Sequence, residues 1–213
     1  MGKPNTLRDS VRQAVLDMIQ YGELLPGEKV KEAVLCKSLG LSRTPVREAL
    51  IQLSSEGVLE SVSHRGFMVT PRSLKEKNDI YCVLATMDAL AAQLAFEHIT
   101  DVHIHQMNEL TDKIDVAIKY QNYPEYCRYQ QQFHEVYRNA SGNNYLQKLL
   151  HDMQEGFIPM TYFSEDSDTL FQVFANMNNE HRTIIRLFEE KKLKELLDYL
   201  VNTHWKTQYD AMI

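Results

Sequence analysis

Two groups of residues in this 213-residue chain have the types and spacing to do chemistry. The first is Ser42-Arg43-Thr44-Pro45-Val46-Arg47-Glu48-Ala49-Leu50. Proline fits the first position of a helix, where its missing N–H would be unbonded anyway, and Thr44 before it is a good N-cap. The stretch therefore predicts an exposed helix start flanked by Arg43 and Arg47. Free backbone N–H groups and the helix dipole favour phosphate at such an end, and two guanidinium forks add to that preference. Arginine is also the side chain best suited to bidentate reading of guanine. Double-stranded DNA is the ligand this predicts, with Ser42, Arg43, Thr44, Pro45 and Arg47 as the candidate contacts.

The second group emerges from helical register. In one predicted helix the inward stripe runs Leu170, Phe174, Met177, His181, Ile184 or Ile185, Phe188, and His181 interrupts it at a core position. In the last helix the stripe Leu193, Leu196 or Leu197, Leu200 ends on His204. In a third, His134 follows Gln130 by four residues and shares its face beside Tyr126, Phe133 and Tyr137. Three helices thus each turn one imidazole inward. A single inward histidine is most simply a satisfied core residue, but three in an apolar bundle need partners, and a divalent metal satisfies them together.

These residues must be carried by elements that the hydrophobic pattern predicts. Leu7, Val11, Ala14, Val15, Met18 and Ile19 mark one face of a first helix over Thr6–Tyr21, closed by Gly22. Leu24-Leu25-Pro26-Gly27 reads as a turn. A second helix buries Val30, Val34, Leu35 and Leu39 and breaks at Gly40. The third, capped at Thr44, buries Val46, Ala49, Leu50 and Leu53 and closes at Gly57. Helix, short glycine turn, helix is the helix-turn-helix pattern. The period then changes, and Val58–Val62 and Phe67–Thr70 predict two short strands joined by Ser63-His64-Arg65-Gly66. This is a wing with a basic tip, which adds His64, Arg65 and Gly66 to the candidate DNA contacts. Pro71 marks a boundary. Beyond it the periodicity is helical throughout, predicting six helices at Leu74–Ile99, Asp101–Tyr120, Pro124–Ala140, Asn144–Phe163, Leu170–Glu190 and Leu193–Ala211. Short loops make these an antiparallel bundle. The expected fold is mainly α: a winged helix-turn-helix over residues 1–72 and an all-α six-helix bundle over 73–213.

Composition agrees with this division. The net charge of −6 argues against a nucleic-acid partner until it is located. Residues 1–72 hold ten Lys and Arg against eight Asp and Glu, a net +2, whereas the remainder holds thirteen against twenty-one, a net −8. The basic part contains the arginine-flanked helix start. No run approaches a membrane span and residues 1–10 lack the apolar centre of a signal peptide, so the expected location is cytoplasmic, with no membrane partner. Cys36, Cys82 and Cys127 form neither a CxxC pair nor an even disulfide set, and read as small buried apolar residues.

Gly22-Glu23-Leu24-Leu25-Pro26-Gly27, the Ser42-to-Leu50 stretch, Leu53-Ser54-Ser55-Glu56-Gly57-Val58-Leu59 and Arg65-Gly66-Phe67-Met68-Val69 together closely resemble the GntR family of bacterial transcription regulators. The helical remainder is similar to the FCD ligand-binding domain of the FadR branch, through Phe133-His134, Ser141-Gly142-Asn143, Glu180-His181-Arg182 and a late His204, and six helices suggest the VanR-like subgroup. The resemblance implies a homodimeric regulator, usually a repressor of a metabolic operon, binding a near-palindromic operator and responding to a small-molecule effector, often a carboxylate. It also implies a metal, zinc or nickel, held by one Asp and three His. The histidines map onto His134, His181 and His204, while the Asp position falls on Gln130, a neutral amide that implies weaker metal retention or a site completed by the ligand's own carboxylate. Gln130 and Arg138 are the candidate effector-pocket residues. A family arginine of the first bundle helix is replaced by Leu84. Two other readings are open to these residues: a metal-dependent enzyme acting on a small acid, and a DNA-binding protein without an effector. No catalytic carboxylate lies in register with the histidines, so the chain is expected not to be an enzyme.

Overall fold

The computed structural model describes residues 6–20, 22–71, 73–156 and 167–206. The chain divides into two compact units: one runs to Ser73 and takes in residues 153–156, and the other holds the remaining described residues from Leu74 on.

The N-terminal unit contains α1 (Leu7–Gln20), α2 (Glu32–Leu39), α3 (Arg43–Ser55) and a two-stranded antiparallel sheet, β1 (Leu59–Val62) and β2 (Gly66–Val69). The predicted apolar stripes converge: Val11, Val15 and Ile19 of α1 meet Val46, Ala49, Leu50 and Leu53 of α3, with Leu35, Leu59, Phe67 and Val69 completing one core. Val34, expected to face inward, is exposed. Arg12 of α1 pairs with Glu56 at 3.0 Å, just past the end of α3, pinning the two helices together at a part-buried position. Gly40 ends α2 at φ +65°, a left-handed conformation that costs a glycine little, and its N–H reaches Cys36 O. That turn sets α3 at an angle to α2.

Helix α3 begins two residues before its predicted start. Ser42, not Thr44, is the N-cap residue, with an extended backbone, and Pro45 occupies the third helical position. The reason is local: none of the first-turn N–H groups has an intrahelical acceptor, so proline is tolerated throughout that turn. Pairing with β2 also extends beyond the two strands, at an isolated bridge of Lys29 with Met68. Residues 28–30 also pair with β2, through Val69 N to Glu28 O and Val30 N to Phe67 O, both 2.9 Å.

The C-terminal unit contains α4 (Leu74–Ala95), α5 (Asp101–Lys119), α6 (Tyr123–Ala140), α7 (Asn144–Gly156) as far as Asp152, α8 (Ser167–Glu189) and α9 (Leu193–Tyr199), and α9 runs on into a π-helical turn, Leu200–His204. Connections of three to five residues join α4 to α5, α5 to α6, α6 to α7 and α8 to α9. Helix α5 packs on α6 and α8, and α4 packs on α6, α9 and the π turn. Helix α8 starts three residues earlier than predicted, and the predicted ends Phe163 and Ala211 lie outside the described residues. Of the cysteines, Cys127 is buried as expected, but Cys82 is exposed on α4.

Candidate functional site

In the N-terminal unit Ser42, Arg43, Thr44 and Arg47 are exposed at the start of α3, and Pro45 is part-buried. Arg43 and Arg47 lie one helical turn apart on the same face, both open to solvent. At the wing tip His64 and Arg65 are exposed, and the reversal needs two residues at positive φ, His64 at +61° and Gly66 at +86°. Arg65 N closes the turn on Val62 O at 3.0 Å. The helix start and the wing tip thus offer four guanidinium or imidazole side chains outward within one unit. No helix among the described residues is long and apolar enough to cross a membrane.

In the C-terminal unit His134 of α6, His181 of α8 and His204 at the end of the π turn come together, all buried, each offering a ligand atom within 4.8 Å of the others. Their positions follow from helical register, but the last needs the wider turn. Trp205 N bonds Leu200 O at 3.1 Å, a five-residue closure that shifts His204 and Trp205 relative to a regular α-helical path.

Each ring is held on its outer side. His181 Nδ1 faces Asn178 Oδ1 at 3.3 Å, and Asn178 Nδ2 in turn donates to Thr111 O at 2.9 Å and Asp115 Oδ1 at 2.7 Å, tying α8 to α5. His204 Nδ1 faces Glu180 Oε2 at 3.0 Å. His134 Nδ1 faces the Tyr137 hydroxyl at 2.7 Å. Amide and carboxylate oxygens only accept, so in the neutral rings of His181 and His204 the proton sits on Nδ1. The inner Nε2 atoms then present lone pairs to one another.

That arrangement fits a cation. His134 Nε2 and His204 Nε2 approach to 3.4 Å, and His181 Nε2 is buried with no hydrogen-bond partner among the described residues. Burial holds the His134 pKa well below its ordinary value, with Arg138, His204 and His181 adding repulsion; burial, then His204 and Arg182, do the same to His181. Neutral imidazoles are the form that ligates. A tetrahedral ion with Zn–N bonds of about 2.0–2.1 Å spaces its ligands roughly 3.4 Å apart, the spacing of the His134–His204 edge. Gln130, one turn before His134, is part-buried and offers a neutral donor. Cys127 offers no thiolate, because burial pushes its pKa up to about 12.

Beside the cluster lies a feature that sequence reasoning missed. Asp88 of α4 is fully buried and accepts from Tyr137 Oη at 2.5 Å, Arg138 Nε at 2.6 Å and Trp205 Nε1 at 2.7 Å. Burial opposes the Arg138 charge, but the Asp88 carboxylate, with Tyr137 and Glu135 adding to it, outweighs that penalty and leaves the Arg138 pKa raised. Arg138 Nη2 remains buried without a partner among the described residues. One signal was present in the sequence: Asp88 is a lone acid in the run Leu84, Ala85, Ala89, Ala91, Ala92, Ala95, all buried. Leu84 itself is fully buried and apolar, so that position supplies no cation.

Residues 7–69 match the family model of the bacterial regulatory proteins of the gntR family, and residues 79–204 match that of the FCD domain. The chain belongs to the GntR family. It is a transcription regulator with an FCD domain, and its relatives are regulators, not enzymes. Over 195 residues it is 30% identical to the HTH-type transcriptional regulator YdhC of Bacillus subtilis, spanning 88% of this chain and 83% of that protein. It is 25% identical over 188 residues to the Nta operon transcriptional regulator of Aminobacter aminovorans, covering 88% and 86%. Among solved structures, E. coli McbR/YncC has the same fold, with a TM-score of 0.75, 20% identity and 92% of each chain covered.

Proposed function

We propose that this GntR regulator is a homodimeric repressor of a metabolic operon, released or altered by a small carboxylate that binds a metal-supported pocket in its FCD domain. The observation that carries the reading is the convergence of three buried imidazoles with their Nε2 atoms inward, beside a buried guanidinium that has a spare N–H edge. His134, His181 and His204 would hold the ion, zinc or nickel. When bound, the ion would supply Lewis acidity and open coordination positions for an anionic group. Three neutral imidazoles leave its charge uncompensated, and Gln130, in the place of a carboxylate, adds none. An effector carboxylate compensates it, and Arg138 is the residue placed to bind a second polar group of that effector.

Ser42, Arg43, Thr44, Pro45 and Arg47 would grip the major groove and adjoining phosphates, with His64, Arg65 and Gly66 on the flanking backbone or minor groove. Homodimerisation is supported by α4, where Val83, Leu90 and Leu94 are exposed in one stripe at helical spacing, an apolar face that a second copy would cover. Two copies place two reading helices on half-sites about one duplex turn apart.

The test combines elemental analysis with operator binding. Purified wild-type protein should carry a divalent metal that His134→Ala lacks, and short carboxylates should alter gel-shift affinity for the operator only in the metal-loaded wild type. Equal metal content in the two proteins would refute the pocket assignment, and an operator that binds equally well when both Arg43 and Arg47 are alanine would refute the DNA assignment.

A further inference from the structure

The three cluster histidines are held on their outer nitrogens by chains of different length. His181 and His204 each meet an acceptor oxygen directly, from Asn178 and Glu180. His134 instead meets a hydroxyl, Tyr137 Oη at 2.7 Å, and that hydroxyl lies 2.5 Å from Asp88 Oδ2. A phenol has one proton. A carboxylate oxygen only accepts, so that proton is given to Asp88 Oδ2. Tyr137 can then only accept from His134. His134 therefore carries its proton on Nδ1 and turns a bare Nε2 toward His204 Nε2, 3.4 Å away.

We propose that Tyr137 and Asp88 are the positioning residues of His134, fixing its tautomer so that Nε2 is presented to a divalent cation. This rests on the metal-supported pocket proposed above. Asp88, Tyr137 and His134 are all fully buried, so solvent does not replace a lost member. Asp88 is held in place by Arg138 and Trp205, which leaves the aim of its Oδ2 toward Tyr137 little freedom. Without the Tyr137 hydroxyl, Nδ1–H would face only Asp88 Oδ2, 3.7 Å away and beyond hydrogen-bond reach, a buried donor left unsatisfied. The cheaper state moves the proton to Nε2, where it bonds His204 Nε2 and occupies the place of the cation. A carboxylate acting on a metal-binding histidine through an intervening group both selects the tautomer and raises the basicity of the ligating nitrogen. The Tyr137 ring packs against Phe133 and Phe188, so Tyr137→Phe removes the hydroxyl and keeps these neighbours.

The test uses the full chain stripped of metal by a chelator. Zn²⁺ affinity is measured by competition with a chromophoric chelator, and the histidine tautomers are read from two-bond proton–nitrogen correlation spectra. Wild-type His134 should be the Nδ1–H tautomer without metal. Tyr137→Phe should shift it to Nε2–H and weaken Zn²⁺ binding about 10–100-fold. A variant that is less stable but keeps the wild-type tautomer and affinity makes Tyr137 merely structural and overturns the proposal. If Tyr137→Phe does not fold, the wild-type spectrum decides alone, since an Nε2–H tautomer there overturns it. A wild-type chain that takes up no Zn²⁺ defeats the metal reading instead, while the tautomer still tests the relay.

Discussion

Removal of the Asp88 carboxylate should be among the most damaging single changes in the C-terminal unit. Asp88→Ala strips Arg138, 3% exposed, of the carboxylate 2.6 Å from its Nε. Breaking a buried ion pair from one side costs about 3–5 kcal/mol, because the remaining charge is left uncompensated. The Tyr137 hydroxyl and the Trp205 indole N–H also lose their acceptor, each at about 1–3 kcal/mol if nothing replaces it. The terms are not additive, since freed donors re-pair in part, but a loss of about 5 kcal/mol rivals the whole stability of a typical domain, about 5–15 kcal/mol. Removing both charges behaves differently. Asp88→Ala with Arg138→Met leaves no buried ion, and should be more stable than Asp88→Ala alone by about 2 kcal/mol or more. Trp205 is the sole tryptophan of the chain and sits in the network itself, so urea unfolding followed by its fluorescence reports on this unit. A loss below about 1 kcal/mol for the single change, or a double variant no better than the single, would show that the Asp88 network does not carry this energy.

Other outcomes follow from the same geometry. Arg43→Ala and Arg47→Ala should each weaken operator binding by about 1–3 kcal/mol if the side chain reads a base, measured by gel shift at fixed salt. The metal-free protein should lose stability in acid. His134 and His181 have folded pKa values well below the ordinary 6.5, so as pH falls through 6.5 the unfolded chain takes up protons that the folded rings do not. The loss is about 1.4 kcal/mol per pH unit for each ring, continuing down to the depressed folded values. Urea titrations at pH 6.5 and 5.5 check it, and a His181→Leu variant with the same pH slope would contradict it. Leu90→Glu, in the exposed stripe of α4, should shift the protein toward monomer in analytical ultracentrifugation while leaving each monomer folded, and an unchanged sedimentation coefficient would place the interface elsewhere.

Much of the N-terminal unit was legible because its signals are local. Glycines at chain reversals, the alternation of the wing and the 3.6-residue stripes each depend on neighbours within a few positions, and they placed α1 to α3 and both strands. Even here the N-cap moved from Thr44 to Ser42, because both residue types cap and only the packed backbone selects between them. Pairing of residues 28–30 with β2 was hidden, since Lys29 lies opposite Met68 across nearly forty positions of chain.

The candidate site divides in the same way. That His134, His181 and His204 face inward was determined by the sequence, because register on a helix fixes which side a residue occupies once its apolar neighbours are known. What they face was decided by the tertiary structure alone. Asp88 reaches Tyr137 across 49 residues, Arg138 across 50 and Trp205 across 117, contacts set by how α4, α6 and the π turn pack together. Periodicity records that a position is buried and says nothing of what opposes it. The proton on His134, and with it the direction of its lone pair, is a property of that packing.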